Sequence, residues 1–247
     1  MTSVSNKTLL ITGCNRGIGK AILTKFTENG YNVIACNRTI SDDFRTFCNE
    51  LMQKYNVEIT LYQCDLSENN SIADTMKAIF QSKVQIDVLV NNAGMAFGAF
   101  FSMTSVIKIK EIFEVNFFAP VLISQYVSKW MQKRRSGVII NLGSVAGLDP
   151  MEGFTAYGTS KASLMMFTKI LAKELGKYNI RVNAVAPGLT ETEMALEMEK
   201  KSEEYMVNMT SFKRLGKPSE IANLVYYLSS DEAEFITGQV IRIDGGM

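Results

Sequence analysis

Residues 8–19 read TLLITGCNRGIG. An apolar run rich in β-branched side chains, Thr8 to Ile11, meets glycines at 13, 17 and 19, and an amphipathic pattern then runs from about Ile18 to Asn29. Glycines at such a junction let a strand turn sharply into a helix and let a pyrophosphate approach the backbone at the helix N-terminus. The spacing is Gly-x3-Gly-x-Gly, so Asn15, Arg16 and Ile18 share the turn with Gly13, Gly17 and Gly19.

The same alternation continues along the chain. Apolar runs recur at Asn32–Cys36, Glu58–Tyr62, Asp87–Val90, Gly137–Asn141, Arg181–Val185 and Gln239–Ile243, with helical patterns between them. Strands buried on both faces and separated by helices predict a parallel sheet covered on each side. No linker or repeat divides residues 1–247, so one α/β domain is expected, a doubly wound Rossmann fold on seven parallel strands. The Met- and Glu-rich stretch 188–213 reads either as two surface helices or as a flap over a pocket; its place just past a strand's C-terminal end favours the flap.

Composition narrows the function. Lys plus Arg number 26 against 25 Asp plus Glu, a formal charge of +1, which argues against a nucleic-acid binder. Apolar residues make up 47%, without a run long enough to span a membrane or a secretory leader. Cys14, Cys36, Cys48 and Cys64 form no CxxC pair and the chain has no histidine, so no metal site is expected. Unpaired cysteines of this kind suit a reduced, cytoplasmic protein.

With no histidine, the pair in YGTSK, residues 157–161, draws notice. On a helix, Tyr157 and Lys161 lie one turn apart on one face. A phenol has a pKa near 10, and a nearby ammonium that stabilises phenolate lowers it toward the range of acid–base catalysis.

The glycine spacing, NNAG at 91–94, Asn116, Ser144 and YGTSK together resemble the short-chain dehydrogenase/reductase family over nearly the whole chain. That resemblance implies a catalytic set of Asn116, Ser144, Tyr157 and Lys161. Ser144 would steady a substrate oxygen and Tyr157 would exchange the proton. Lys161 would bind the nicotinamide ribose and lower the tyrosine pKa. Asn116 would distort its helix and hold a water that links Lys161 to solvent. It also implies a cofactor cleft of Gly13, Asn15, Arg16, Gly17, Ile18, Gly19, Arg38, Asp65, Leu66, Asn91, Ala93, Gly94, Pro187, Gly188 and Thr190. Asp65 would receive the adenine amino group, and Thr190 the nicotinamide carboxamide.

Cys36-Asn37-Arg38-Thr39 places no carboxylate where the second strand ends. A carboxylate there would bind the ribose hydroxyls of NAD, whereas Arg38 and Arg16 suit a 2′-phosphate, so NADPH is the expected cofactor. Within the family the resemblance is strongest to reductases of 3-oxoacyl-carrier-protein thioesters. It implies an acyl carrier protein landing on Lys133, Arg134, Arg135 and Lys177, and a homotetramer. One departure stands out: Met95-Ala96-Phe97-Gly98-Ala99-Phe100-Phe101 is apolar where those reductases carry threonine, arginine and aspartate. Reduction of a sugar, polyol, cyclic or polyketide-type ketone is therefore the alternative enzyme reading, and a non-catalytic nucleotide sensor the alternative of another class.

Overall fold

The computed structural model describes residues 6–192 and 207–247. Seven parallel strands form one sheet in the order β3-β2-β1-β4-β5-β6-β7. They are β1 Thr8–Thr12, β2 Asn32–Asn37, β3 Ile59–Gln63, β4 Val88–Asn91, β5 Gly137–Leu142, β6 Ile180–Pro187 and β7 Val240–Ile243. All seven strands expected from the sequence are present, with ends moved by a residue or two. The longest shift is in β6, which continues through Ala186 and Pro187 because both pair with β7.

The described helices are α1 Gly17–Glu28, α2 Asp42–Tyr55, α3 Asn69–Gln81, α4 Val106–Phe113, α5 Ala119–Arg134, α6 Thr155–Leu175 and α7 Pro218–Ser229. None is long and apolar enough to cross a membrane. Strand alternation sends neighbouring residues to opposite faces. Leu9 and Ile11 of β1 join Ile22, Phe26, Phe44 and Leu228 on the face covered by α1, α2 and α7. Leu10 joins Ile72, Ile123 and Leu175 on the face covered by α3, α5 and α6. Cys14, Cys36, Cys48 and Cys64 are buried and unpaired, and their thiols are pushed up by burial.

The strand order reverses beside β1, whose neighbours are β2 and β4. Crossovers diverge there, which opens a crevice at the strands' C-terminal ends. Of the stretch 188–213, residues 193–206 lie outside the described residues. Its described far end is tied to the C-terminal tail, where Ser211 and Phe212 donate backbone hydrogen bonds to the Gly245 carbonyl at 2.9 and 3.2 Å.

A buried polar chain locks the middle strands to α6. The Asn91 amide donates to Asn141 Oδ1 at 2.8 Å, and the Asn141 amide donates to Thr168 Oγ1 at 2.8 Å. These bonds fix β4, β5 and α6 in one register, and α6 carries Tyr157 and Lys161. Replacing Asn141 by leucine leaves the buried Asn91 amide short of an acceptor, at a cost of about 1–3 kcal/mol. Urea unfolding of Asn141→Leu should show that loss; a midpoint equal to wild type would mean that packing alone sets the register.

Candidate active site

The glycine turn is held from two sides. Gly13 sits at φ +67°, and a Cβ there would stand 2.8 Å from the Ala93 side chain. The Asn92 amide donates to the carbonyls of Thr12 and Gly13 at 2.9 and 2.7 Å, while Thr12 Oγ1 accepts from the backbone N–H groups of Asn92 and Ala93. From the other side, Asn37 Oδ1 accepts the Cys14 N–H at 2.7 Å. Asn92 and Asn37 are thus structural members of the cleft that the motif reading passed over. Asn92 was legible as the second asparagine of NNAG, whereas nothing local marked Asn37.

The rim of the crevice carries the expected cofactor residues. Asn15, Arg16 and Arg38 are exposed, Gly17 and Ile18 line the turn, and Arg38 directly follows β2 with Asp65 near enough to feel its charge. Asp65 is held below its ordinary pKa chiefly by the backbone and hydroxyl of Ser67, with Arg38 adding a smaller pull. Leu66 is buried beside it. On the far side Gly188 packs against Asp244, and the buried Thr190 donates to the Gly188 carbonyl at 3.1 Å. No carboxylate occupies the end of β2, so the cleft fits a dinucleotide bearing a 2′-phosphate better than one with a free ribose.

The residues expected to handle the proton converge at the ends of β4 and β5. Lys161 is 4% exposed, and its ammonium donates to the Leu142 carbonyl at 2.7 Å. Room for it exists because residue 94 is glycine: a Cβ there would lie 3.2 Å from Lys161 Nζ and 3.3 Å from Asn116 Oδ1. Tyr157 is half-buried one turn before Lys161, with Nζ 5.9 Å from its ring centre. Ser144 lies just past the end of β5, caps the turn Val145–Gly147 through a hydrogen bond from the Ala146 N–H at 3.2 Å, and is near enough to Tyr157 to pull its phenol pKa down.

Asn116 lies in a π-helical segment, Glu114–Phe118, so the expected distortion of the helix is present. Its amide is committed: Oδ1 accepts the Met95 N–H at 2.7 Å, and Nδ2 donates to the Met95 carbonyl at 2.9 Å and to Ser160 Oγ at 3.0 Å. These bonds join the loop after β4 to the first turns of α6.

The electrostatics differ from the simple expectation that lysine lowers the tyrosine pKa. Burial pushes the Tyr157 phenol above its ordinary value, opposed by the Ser144 hydrogen bond. Burial also lowers Lys161 from 10.5 to about 8. The ammonium spends its bond on Leu142 rather than on the phenol, so desolvation prevails in the chain itself.

The apolar segment 95–101 lies against the start of α6. The Ala99 N–H donates to the Gly153 carbonyl at 2.8 Å, linking this loop to Phe154, whose ring meets that of Tyr157 edge-on at 6.2 Å. Phe154 was not singled out by any motif. Farther away, Arg242 of β7 holds Asp149 and Asp244, each at 2.7 Å.

The basic cluster is split. Lys133 and Arg135 are exposed, and Arg135 donates to the Lys177 carbonyl at 2.8 Å, which brings those two residues together. Arg134 turns inward to Asp87 at 3.5 Å and to the Ile86 carbonyl, so it serves the fold rather than the surface.

A family model described as enoyl-(acyl carrier protein) reductase matches residues 13–247. The chain is a short-chain dehydrogenase/reductase. It is 37% identical over 244 residues to a 3-oxoacyl-[acyl-carrier-protein] reductase of Aquifex aeolicus, covering 99% of this chain and 98% of that one. Among solved structures it is similar to a 3-oxoacyl-[acyl-carrier protein] reductase from Brucella melitensis, with TM-score 0.91, 32% identity and coverage of 99% and 92%. It is also similar to the L-sorbose reductase of Gluconobacter frateurii, solved with NADPH and L-sorbose, at TM-score 0.90, 29% identity and coverage of 99% and 97%. Members of this family are oxidoreductases acting on carbonyl and alcohol groups.

The buried lysine has a stability consequence. Below pH 8 both folded and unfolded states hold its proton, and the fold bears the whole cost of burying the charge. Between about 8 and 10.5 the unfolded chain binds more protons, so this cost is relieved as pH rises. The lowering corresponds to about 3 kcal/mol. Lys161→Met should therefore resist urea better than wild type at pH 7, by less than that amount because the Leu142 bond is lost, with the gap closing toward pH 10. A variant less stable at pH 7 would show that the hydrogen bond outweighs the burial cost.

Proposed function

We propose that the protein reduces a 3-oxoacyl group carried by an acyl carrier protein to the 3-hydroxyacyl product, using NADPH. The convergence of Ser144, Tyr157 and Lys161 at the ends of β5 and α6 carries the reading, and the 37% identity to the Aquifex reductase supports the choice of substrate. Gly13, Asn15, Arg16, Gly17, Ile18 and Gly19 hold the pyrophosphate, with Asp65 and Leu66 at the adenine. Arg38 faces the 2′-phosphate. Asn91, Ala93, Gly94, Pro187, Gly188 and Thr190 line the remainder of the dinucleotide path. When bound, NADPH supplies the hydride.

The chain's own part is to place the ketone and manage one proton. The Ser144 hydroxyl hydrogen-bonds the ketone oxygen and holds the carbonyl in place. The Tyr157 phenol gives its proton to that oxygen as negative charge develops there. A phenol whose pKa is raised by burial keeps this proton at neutral pH, which suits the reductive direction. Lys161 stabilises the phenolate left behind and returns a proton to it. With its amide bound to Met95 and Ser160, Asn116 acts by keeping the π-helical segment open beside Lys161, where a relaying water is held.

Lys133, Arg135 and Lys177 receive the acidic carrier. Phe118, Met166 and Ile170 are exposed apolar residues on the α5–α6 side, which supports assembly into the homotetramer. The protein works in the cytoplasm. A second reading, reduction of a cyclic, sugar or polyketide-type ketone, is favoured by the apolar wall of Phe97 and Phe154.

The test is loss of NADPH absorbance with a 3-oxoacyl thioester, with NADH run alongside. NADPH should be preferred. Tyr157→Phe should bind NADPH normally yet lose about 10²–10⁴-fold in turnover. Wild-type kcat/KM should fall above pH 8 as Lys161 sheds its proton. Turnover retained by a folded Tyr157→Phe enzyme would refute the assignment, and reduction of a cyclic diketone alone would select the second reading.

A further inference from the structure

A groove of about 790 Å³ runs between α3 and α5, on the sheet face that also carries α6 but away from the crevice. Its floor is aromatic. Phe80 and Trp130 stack with ring centres 5.6 Å apart, Tyr126 lies one turn along, and Phe80 remains 57% exposed. A stacked pair left this open is surface that a partner can cover.

The rim is cationic. Lys77 of α3 and Lys129 and Lys133 of α5 border the groove, against the single acid Asp74. Lys133 lies in the last turn of α5, where the helix dipole alone accounts for a cation. Lys77 and Lys129 lie outside the last turns of their helices, so the dipole does not account for them. From Ala73 to Phe80, and from Tyr126 to Lys133, the lining covers about 10 Å of each helix, room for two turns of a third.

We propose that this groove seats an acidic amphipathic helix of the carrier protein that brings the substrate. Its apolar side covers Phe80 and Trp130, and its carboxylates face Lys77, Lys129 and Lys133. The proposal rests on the carrier-bound reading of the substrate and adds the contact surface. Through Lys133 the groove adjoins the Arg135–Lys177 cluster, so one bound carrier spans both. Apolar contact gives the affinity, and the lysines speed encounter and set orientation.

Trp130 is the chain's only tryptophan, so its emission reports on this groove alone. The full-length protein is titrated with a tryptophan-free holo-acyl carrier protein. We expect a saturable emission change that weakens at least tenfold in Lys77→Glu and in Lys129→Glu and is suppressed by salt. The same variants should lose at least tenfold in kcat/KM for the carrier-bound 3-oxoacyl substrate while reducing the small 3-oxoacyl thioester as well as wild type does. Unchanged Trp130 emission, with carrier-bound substrate reduced equally by wild type and both variants, would overturn the groove while leaving the proposed reaction intact. An emission change that follows enzyme concentration without carrier would mean that a second copy fills the groove, which also overturns it. Failure to reduce either thioester would remove the substrate reading, and the emission titration would still decide the groove.

Discussion

A buried ammonium bonded to one strand-end carbonyl is the constraint on which the site depends. Lys161 reaches the Leu142 carbonyl from α6, and the charge sits where water is largely excluded. Such a group is costly to keep. It persists because its surroundings are cut to it: Gly94 leaves the space, Leu142 offers the acceptor, and the Asn91–Asn141–Thr168 chain sets α6 at the height that makes the contact. Tyr157, one turn earlier on the same helix, is placed by the same restraints.

The π-helical segment serves the same end from the other side. Inserting an extra residue into the helical turn points Asn116 at the Met95 backbone and at Ser160. The loop after β4 is thereby joined to α6, and the apolar wall that begins at Met95 starts from a fixed point. Farther along, Ala99 is held by its hydrogen bond to Gly153, and Arg242 restrains the loop before α6 through Asp149. The candidate catalytic groups and the apolar segment that begins at Met95 are therefore parts of one connected framework.

The sheet was legible because strands buried on both faces read as continuous apolar runs, and the glycine turn at 13–19 marked where the order begins. The candidate site was legible as residue types at fixed spacing, above all Tyr157 and Lys161. The direction of their pKa values was not, because desolvation depends on what the rest of the fold packs around them; Lys161 was read as a partner for the phenol, yet it bonds Leu142. Asn37 and Phe154 were invisible for a similar reason. Asn37 acts on Cys14, 23 residues away in sequence, and Phe154 meets Tyr157, three residues on, only once the first turn of α6 has formed. Arg134 shows the converse: three basic residues in a row look like a surface patch, but the helix turns the middle one inward onto Asp87.

The most direct test of the buried-lysine account is a pH titration of the Lys161 side chain by NMR, with lysine labelled at the ε carbon and the resonance assigned by its loss in Lys161→Met. The account predicts an inflection near pH 8, well below the ordinary 10.5. An inflection at the ordinary 10.5 would mean that Lys161 is solvated like any surface lysine, and would contradict the constraint around which the site is built.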